Sequence, residues 1–286
     1  MLYTLYVLGF SLAKVVPLRI CYAVAEAIAW GYFICARRDR RELRANLKII
    51  LGEDADEKLI KRHIFMIFRH FAKYLVDFFR TDKFTEKYIS KYIRIKGLEN
   101  LDEGLSGGRG AIISSIHIGN WELGAAIVGA LKYPISAIVL EHKDKRINDF
   151  FIRQRALNNV KSIPISAPIK ECFKAFKRNE IVAIVGDKDY TSNGIHIDFF
   201  GRKALLPKGT AVFSLKTGAP IVFCAMTRNE DDTFTLSFER PIQYNPTGDH
   251  RKDIQALMKE YIKFFEEYIR KNVDQWYAFR KIWDQE

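Results

Sequence analysis

The stretch Ala111-Ile-Ile-Ser-Ser-Ile-His-Ile-Gly-Asn-Trp-Glu122 decides the fold. A short apolar run follows Gly110, and its isoleucines and serines predict a buried strand over Ala111–Ile116. Gly119 supplies a sharp turn, and a helix begins near Asn120. Downstream the alternation repeats. Strands are predicted at Ile135–Leu140, Ser162–Ile165, Ile181–Val185, Ile195–Phe200, Pro220–Met226 and Phe234–Glu239. Between or after them, helices are predicted at Arg146–Asn159, Pro168–Arg178, Pro207–Thr217 and Arg251–Lys271. Such alternation implies a layered α/β/α domain with a mainly parallel sheet.

Upstream the texture is helical. Leu59, Ile60, Ile64, Ile67, Phe68, Phe71, Leu75, Phe78 and Phe79 follow helical spacing from Asp56 to about Arg80. His63, His70 and Asp77 share roughly one face of that helix, but steps of about 10 Å are too long for one metal. Tyr88–Glu103 reads as a short mixed region and Gly104–Gly110 as a turn. The organisation expected is therefore an N-terminal helical part, residues 1–90, on one α/β domain, residues 91–286.

The first 36 residues are unusually apolar, but Lys14, Pro17, Arg19 and Glu26 interrupt them. No stretch reaches about 20 uninterrupted apolar residues, and no basic region precedes the run as in a signal peptide. Arg37-Arg38-Asp39-Arg40-Arg41-Glu42-Leu43-Arg44 follows directly. The combination reads as an interfacial anchor, with apolar faces at the acyl boundary and arginines on anionic headgroups. Two buried core helices and a single tilted span are the other readings. Over the whole chain 46 basic residues stand against 34 acidic ones, a net +12. That excess points to an anionic partner: nucleic acid, a membrane face, or an acidic substrate or carrier. Scattered positive charge without a stacking motif or helix-turn-helix spacing argues against nucleic acid. Cys21, Cys35, Cys172 and Cys224 lack metal-ligand spacing and fit a reducing compartment.

His117 falls at the carboxyl end of the first strand, where open α/β sheets place their sites. Glu122 lies in the first turn of the next helix. A carboxylate there can hold one imidazole nitrogen so that the other serves as a base. By spacing alone the pair is an ordinary structural one; its strand-to-helix setting singles it out. No Gly-x-Ser-x-Gly elbow occurs, and no cysteine follows a strand into a helix, so the nucleophile is assigned to the substrate.

Several ordered blocks accompany the His117-x4-Glu122 pair. They are Asn46-Leu47, Ser115–Glu122, Gly186-Asp187-Lys188-Asp189, Asp198-Phe-Phe-Gly201, Pro207-x-Gly209-Thr210-Ala211, Thr217-Gly218-Ala219-Pro220, and Gln275-Trp276-Tyr277-x-x-Arg280-Lys281-x-Trp283. With the apolar amino terminus, they make the chain resemble the lipid A biosynthesis (lauroyl/myristoyl) acyltransferase family, which includes phosphatidylinositol mannoside acyltransferases. It departs from the usual pattern in having Ala278 and Arg280 where a Trp and a His are common.

The resemblance implies an enzyme at the cytoplasmic face of a bacterial inner membrane. It would move a fatty acyl group from an acyl carrier protein or CoA thioester to a hydroxyl of a lipid A precursor or related glycolipid. In that scheme His117 is the general base, Glu122 orients it, and no covalent acyl-enzyme, metal or cofactor takes part. Arg155 is expected near the site, stabilising an oxyanion or holding a phosphate. Asn120, Asp187, Asp189 and Asp198 complete the expected substrate-binding set. For the two aspartates after the buried strand, an Asx-capped turn is the other reading. Lys203 and Lys208 are candidates to meet the carrier or lipid phosphates. Trp121 would pack on the acyl thioester arm or in the core.

Overall fold

The computed structural model describes residues 2–167 and 169–283. Pro17, which has no backbone N–H, divides the apolar amino terminus into α1 (Leu2–Val15) and α2 (Leu18–Cys35). The basic cluster opens α3 (Arg37–Leu51), and α4 (Glu57–Phe79) starts where the Asp56 carboxylate accepts from the Lys58 N–H. α5 (Glu86–Tyr92), β1 (Ile93–Lys96) and α6 (Leu98–Ser106) resolve the mixed region, so helix continues three residues into the expected turn.

Alternation then begins: β2 (Ala111–Ser115), α7 (Trp121–Ala130), β3 (Ile135–Val139), α8 (Lys145–Ala156), β4 (Val160–Pro164), α9 (Lys170–Lys177) and β5 (Ile181–Val185). Pro168, the expected start of α9, lies outside the described residues. A hairpin follows, β6 (Ile195–Phe199) with β7 (Arg202–Leu206), the latter not expected from the sequence. The remaining elements are α10 (Gly209–Thr217), β8 (Ile221–Arg228), β9 (Phe234–Phe238) and α11 (His250–Lys271).

Seven strands form one sheet in the order β1-β9-β8-β2-β5-β3-β4. Every pair is parallel except β8 with β9. Parallel strands need crossovers, which place helices on both faces and bury the strands between them. One face packs against α9, α10 and α11, the other against α6 and α7, giving the α/β/α layering. β2 lies between β8 and β5 and is buried at every residue, so its carboxyl end opens at the middle of the sheet.

The helical part is tied to the sheet by polar groups that are themselves buried. Asp77 of α4 pairs with Arg228 at the end of β8, accepts from the Tyr22 hydroxyl of α2, and receives the Asn120 amide at 3.3 Å. Asn46 of α3 donates to the carbonyls of Ala278 and Arg280 at 2.9 and 2.8 Å and accepts from the Ile282 N–H. The segment after α11 is thereby held across the carboxyl ends of the strands.

Candidate active site

The turn after β2 is built from backbone. Gly119 has φ +55°, and a Cβ there would lie 1.9 Å from the Met226 carbonyl oxygen, so only glycine fits. Gly119 N–H donates to Gln275 O and Asn120 N–H to Met226 O, each at 2.9 Å. The Asn120 carboxamide caps α7 by accepting from the Leu123 N–H at 3.0 Å. Asn120 is fully buried and does not face the cavity, which corrects its expected place among substrate-binding residues.

His117 is held by Asp187, not by Glu122. Its Nδ1 lies 2.6 Å from Asp187 Oδ1, and its backbone N–H donates to the same oxygen at 3.2 Å. The Trp276 indole N–H donates to Asp187 Oδ2 at 2.8 Å. Burial alone would raise this carboxyl, but the His117 ring, the Lys188 ammonium and the indole hold it well below the usual range. An ionised Asp187 only accepts, so Nδ1 carries the proton and Nε2 is left as the basic nitrogen. Burial lowers the His117 imidazole, and the Asp187 charge offsets this only in part, so the ring is neutral near pH 7.

Glu122 instead receives a two-point contact from Arg155, with Nε to Oε2 at 2.9 Å and Nη2 to Oε1 at 2.6 Å. Both side chains are nearly buried, and the pair bridges α7 to α8. The expected His117 to Glu122 hydrogen bond is therefore replaced by two separate pairs. Asp187 is fully buried, is bonded to the imidazole and the Trp276 indole, and does not line the cavity.

Asp189 borders the cavity, yet its carboxylate is occupied by the Thr191 N–H, the Thr191 hydroxyl and the Gly194 N–H. Asp198 lies on the β6–β7 hairpin, 60% exposed and paired with Lys203, and is no part of the site. That hairpin turns the side chain of Asp198 to solvent while its neighbours Ile197 and Phe199 enter the core. Lys208 does border the cavity, whereas Lys203 stays on the hairpin surface.

The cavity itself encloses about 910 Å³. Its polar lining includes His117, Glu122, Arg155, Lys188, Asp189 and Arg280. The rest of its wall is largely aliphatic and aromatic, including Ile113, Val128, Ile135, Ala137, Phe151 and Met226. Trp121 also lines it, stacked on Tyr74 at 4.6 Å and edge-on to His117 at 4.9 Å. A largely apolar cavity with a few polar groups in its wall suits a hydrocarbon carrying a reactive polar function.

Sequence reasoning missed Asp187 as the partner of His117, and with it Trp276, Lys188 and Arg280. A register signal existed: Ser115 pairs with Val185, so residues two beyond each strand end meet. It becomes readable only once β2 and β5 are known to be neighbours.

The site is thus a strand-end histidine paired with a buried aspartate, bordering a largely hydrocarbon-lined cavity in an α/β/α fold, an arrangement that suits an enzyme acting on an apolar substrate. The chain matches the family described as bacterial lipid A biosynthesis acyltransferase over residues 1–285 and belongs to it. It is similar to the lipid A biosynthesis palmitoleoyltransferase of Escherichia coli strain K12, 25% identical over 80% of this chain and 77% of that one. It is also similar to the phosphatidylinositol mannoside acyltransferases of Mycolicibacterium smegmatis, 23% identical over 71% of this chain and 70% of the relative, and of Mycobacterium tuberculosis, 24% identical over 76% and 70%.

Proposed function

We propose that this chain transfers a fatty acyl group from a thioester, on acyl carrier protein or CoA, to a hydroxyl of a lipid A precursor or related glycolipid. The observation that carries the reading is the His117–Asp187 pair, with His117 in the wall of the largely apolar cavity. The acyl chain lies along the aliphatic wall with its thioester carbonyl near His117. Nε2 takes the proton of the acceptor hydroxyl as its oxygen attacks the carbonyl carbon, and the resulting imidazolium returns it to the departing thiolate. Asp187 holds the tautomer and steadies the positive charge. The Glu122–Arg155 pair fixes α7 against α8 and shapes the mouth.

Transfer is direct, without an acyl-enzyme. Ser115 and Cys224 border the cavity, but the Ser115 hydroxyl donates to the Cys224 carbonyl at 2.7 Å and burial drives the Cys224 thiol far up. Neither is an activated nucleophile.

The enzyme rests on the cytoplasmic face of the inner membrane through α1 and α2. Leu5, Leu8, Leu12 and Val15 line an exposed face of α1, and Ile20, Val24, Ile28 and Trp30 are exposed on α2. α2 is long and apolar enough to cross a bilayer. It is nevertheless tied along one side to α4, with Glu26 bonded to Arg69 at 2.7 Å and Lys73 at 3.1 Å. A helix so tied lies on the surface, with the exposed Arg37, Arg38 and Arg41 beside it for anionic headgroups.

The test is transfer of labelled acyl groups from both thioester donors to a panel of glycolipid and glycerophospholipid acceptors. Label should appear on a glycolipid hydroxyl and vanish with His117→Ala. Acylation of a mannosylated phosphatidylinositol instead would select the second acceptor class, which the mycobacterial relatives favour. An acyl group trapped on the protein would defeat the direct mechanism.

A further inference from the structure

Acyl transfer places negative charge on the thioester carbonyl oxygen, and the backbone N–H groups of residues 117–120 are all engaged elsewhere. The His117 N–H goes to Asp187, Ile118 N–H to Ile116 O, Gly119 N–H to Gln275 O and Asn120 N–H to Met226 O. Arg155 directs two donors at Glu122. Residues 117–120 therefore offer no pair of free amides.

Lys188 brings a buried cationic donor to the same cavity. It is 7% exposed and borders the cavity. Its ammonium makes one hydrogen bond among the described residues, Nζ to the Tyr277 carbonyl at 2.6 Å, which leaves two N–H groups. The Tyr277 N–H in turn donates to the His117 carbonyl at 2.9 Å, so the lysine is joined to the base through a single residue. A cation kept this dry, without a carboxylate in ion-pair contact among the described residues, is poised for an anion that arises during the reaction.

Resting on the acyl-transfer reading above, we propose that the Lys188 ammonium receives the oxyanion formed on the acyl carbonyl. As the acceptor oxygen bonds to the carbonyl carbon, its proton passes to His117 Nε2 and the carbonyl π pair moves to oxygen, beside Lys188. Collapse re-forms the carbonyl and breaks the carbon–sulfur bond. The thiolate takes the proton from His117, and Lys188 ends as it began.

The groups facing this ammonium are Asp187 beside it, His117 at the end of β2, Tyr277 and Arg280 of the closing segment, Tyr190, and the Glu122–Arg155 pair across the cavity. Burial lowers Lys188, Asp187 partly opposes this and Arg280 adds to it, bringing the group down to about 8. The protonated form is the one required, so the rate falls as pH rises above about 8.

The experiment follows kcat/KM against pH for the full-length wild type, Lys188→Met and Lys188→Arg, using palmitoyl-CoA and palmitoyl acyl carrier protein with the acceptor panel. Lys188→Met should lose about 10²-fold in kcat with donor KM nearly unchanged, and should lose the alkaline limb near pH 8. Lys188→Arg should restore part of the rate and move the limb beyond the measured range. A merely structural lysine would lower the melting temperature and the active fraction while leaving the limb in place. Full rate in Lys188→Met, or an alkaline limb that survives in it, overturns the proposal. If the Met variant does not fold, the wild type decides: a fall above pH 8 supports the proposal and a plateau to pH 10 overturns it. Wild type that transfers to no acceptor sinks the acyl-transfer reading itself, whereas a transferring wild type with an unaffected Lys188→Met sinks only the role of the lysine.

Discussion

His117 is useful because its two nitrogens are treated differently. Nδ1 is bound to a carboxylate that is completely buried, and Nε2 is left toward the cavity. Asp187→Asn keeps the shape but allows the opposite tautomer, with loss on the order of 10²- to 10⁴-fold in kcat and little change in melting temperature. His117→Ala should lose at least about 10³-fold. The acid limb carries its own sign. With His117 as the proposed base, neutral imidazole is the active form, and burial lowers its proton affinity, so activity is expected to rise with pH through a midpoint below the ordinary histidine value. A midpoint above 7 in the pH–rate profile would mean that Asp187 outweighs burial. Arg155→Ala leaves Glu122 as a nearly buried charge without its two-point partner, so both stability and activity should drop.

Elements carry these residues to one point, and here the sequence was partly legible. The all-buried run Ala111–Ser115 and the turn glycine mark a central strand entering a helix, and the 3.6-residue spacing of Ile60, Ile64, Ile67, Phe68 and Phe71 marks α4. β1 and β7 escaped because each is short, and Arg94, Arg202 and Lys203 interrupt their apolar pattern. The partner of His117 escaped for a different reason: local spacing favours Glu122, whereas the contact with Asp187 spans 70 residues and depends on strand order. Two substitutions test the supports. Asn46→Ala removes three backbone contacts of the closing segment, leaving buried carbonyls unsatisfied at a cost of roughly 2–3 kcal/mol by denaturant unfolding. Gly119→Ala drives a methyl into the Met226 carbonyl and should cost more than about 3 kcal/mol. A Gly119→Ala protein of normal stability would show that the turn can re-form.

At the scale of the molecule, the basic cluster Arg37–Arg44 and the exposed apolar faces of α1 and α2 meet on the same helical part. The sequence left three readings for those helices, and their attachment to α4 through Glu26, Tyr22 and Asp77 favours surface contact. Glutamates at Leu12 and Ile28 together should reduce flotation with anionic vesicles about tenfold or more while leaving palmitoyl-CoA transfer to a detergent-solubilised acceptor unchanged. Unaltered flotation would place the contact elsewhere. The closing segment has one more consequence, which concerns time. Asn46 meets Ala278 across 232 residues, and the Trp276 indole meets Asp187 across 89. On the ribosome, the apolar helices therefore emerge well before the histidine has its orienting shell. A nascent chain stalled short of Trp276 has its apolar helices exposed before Asp187 gains the indole donor that completes its shell.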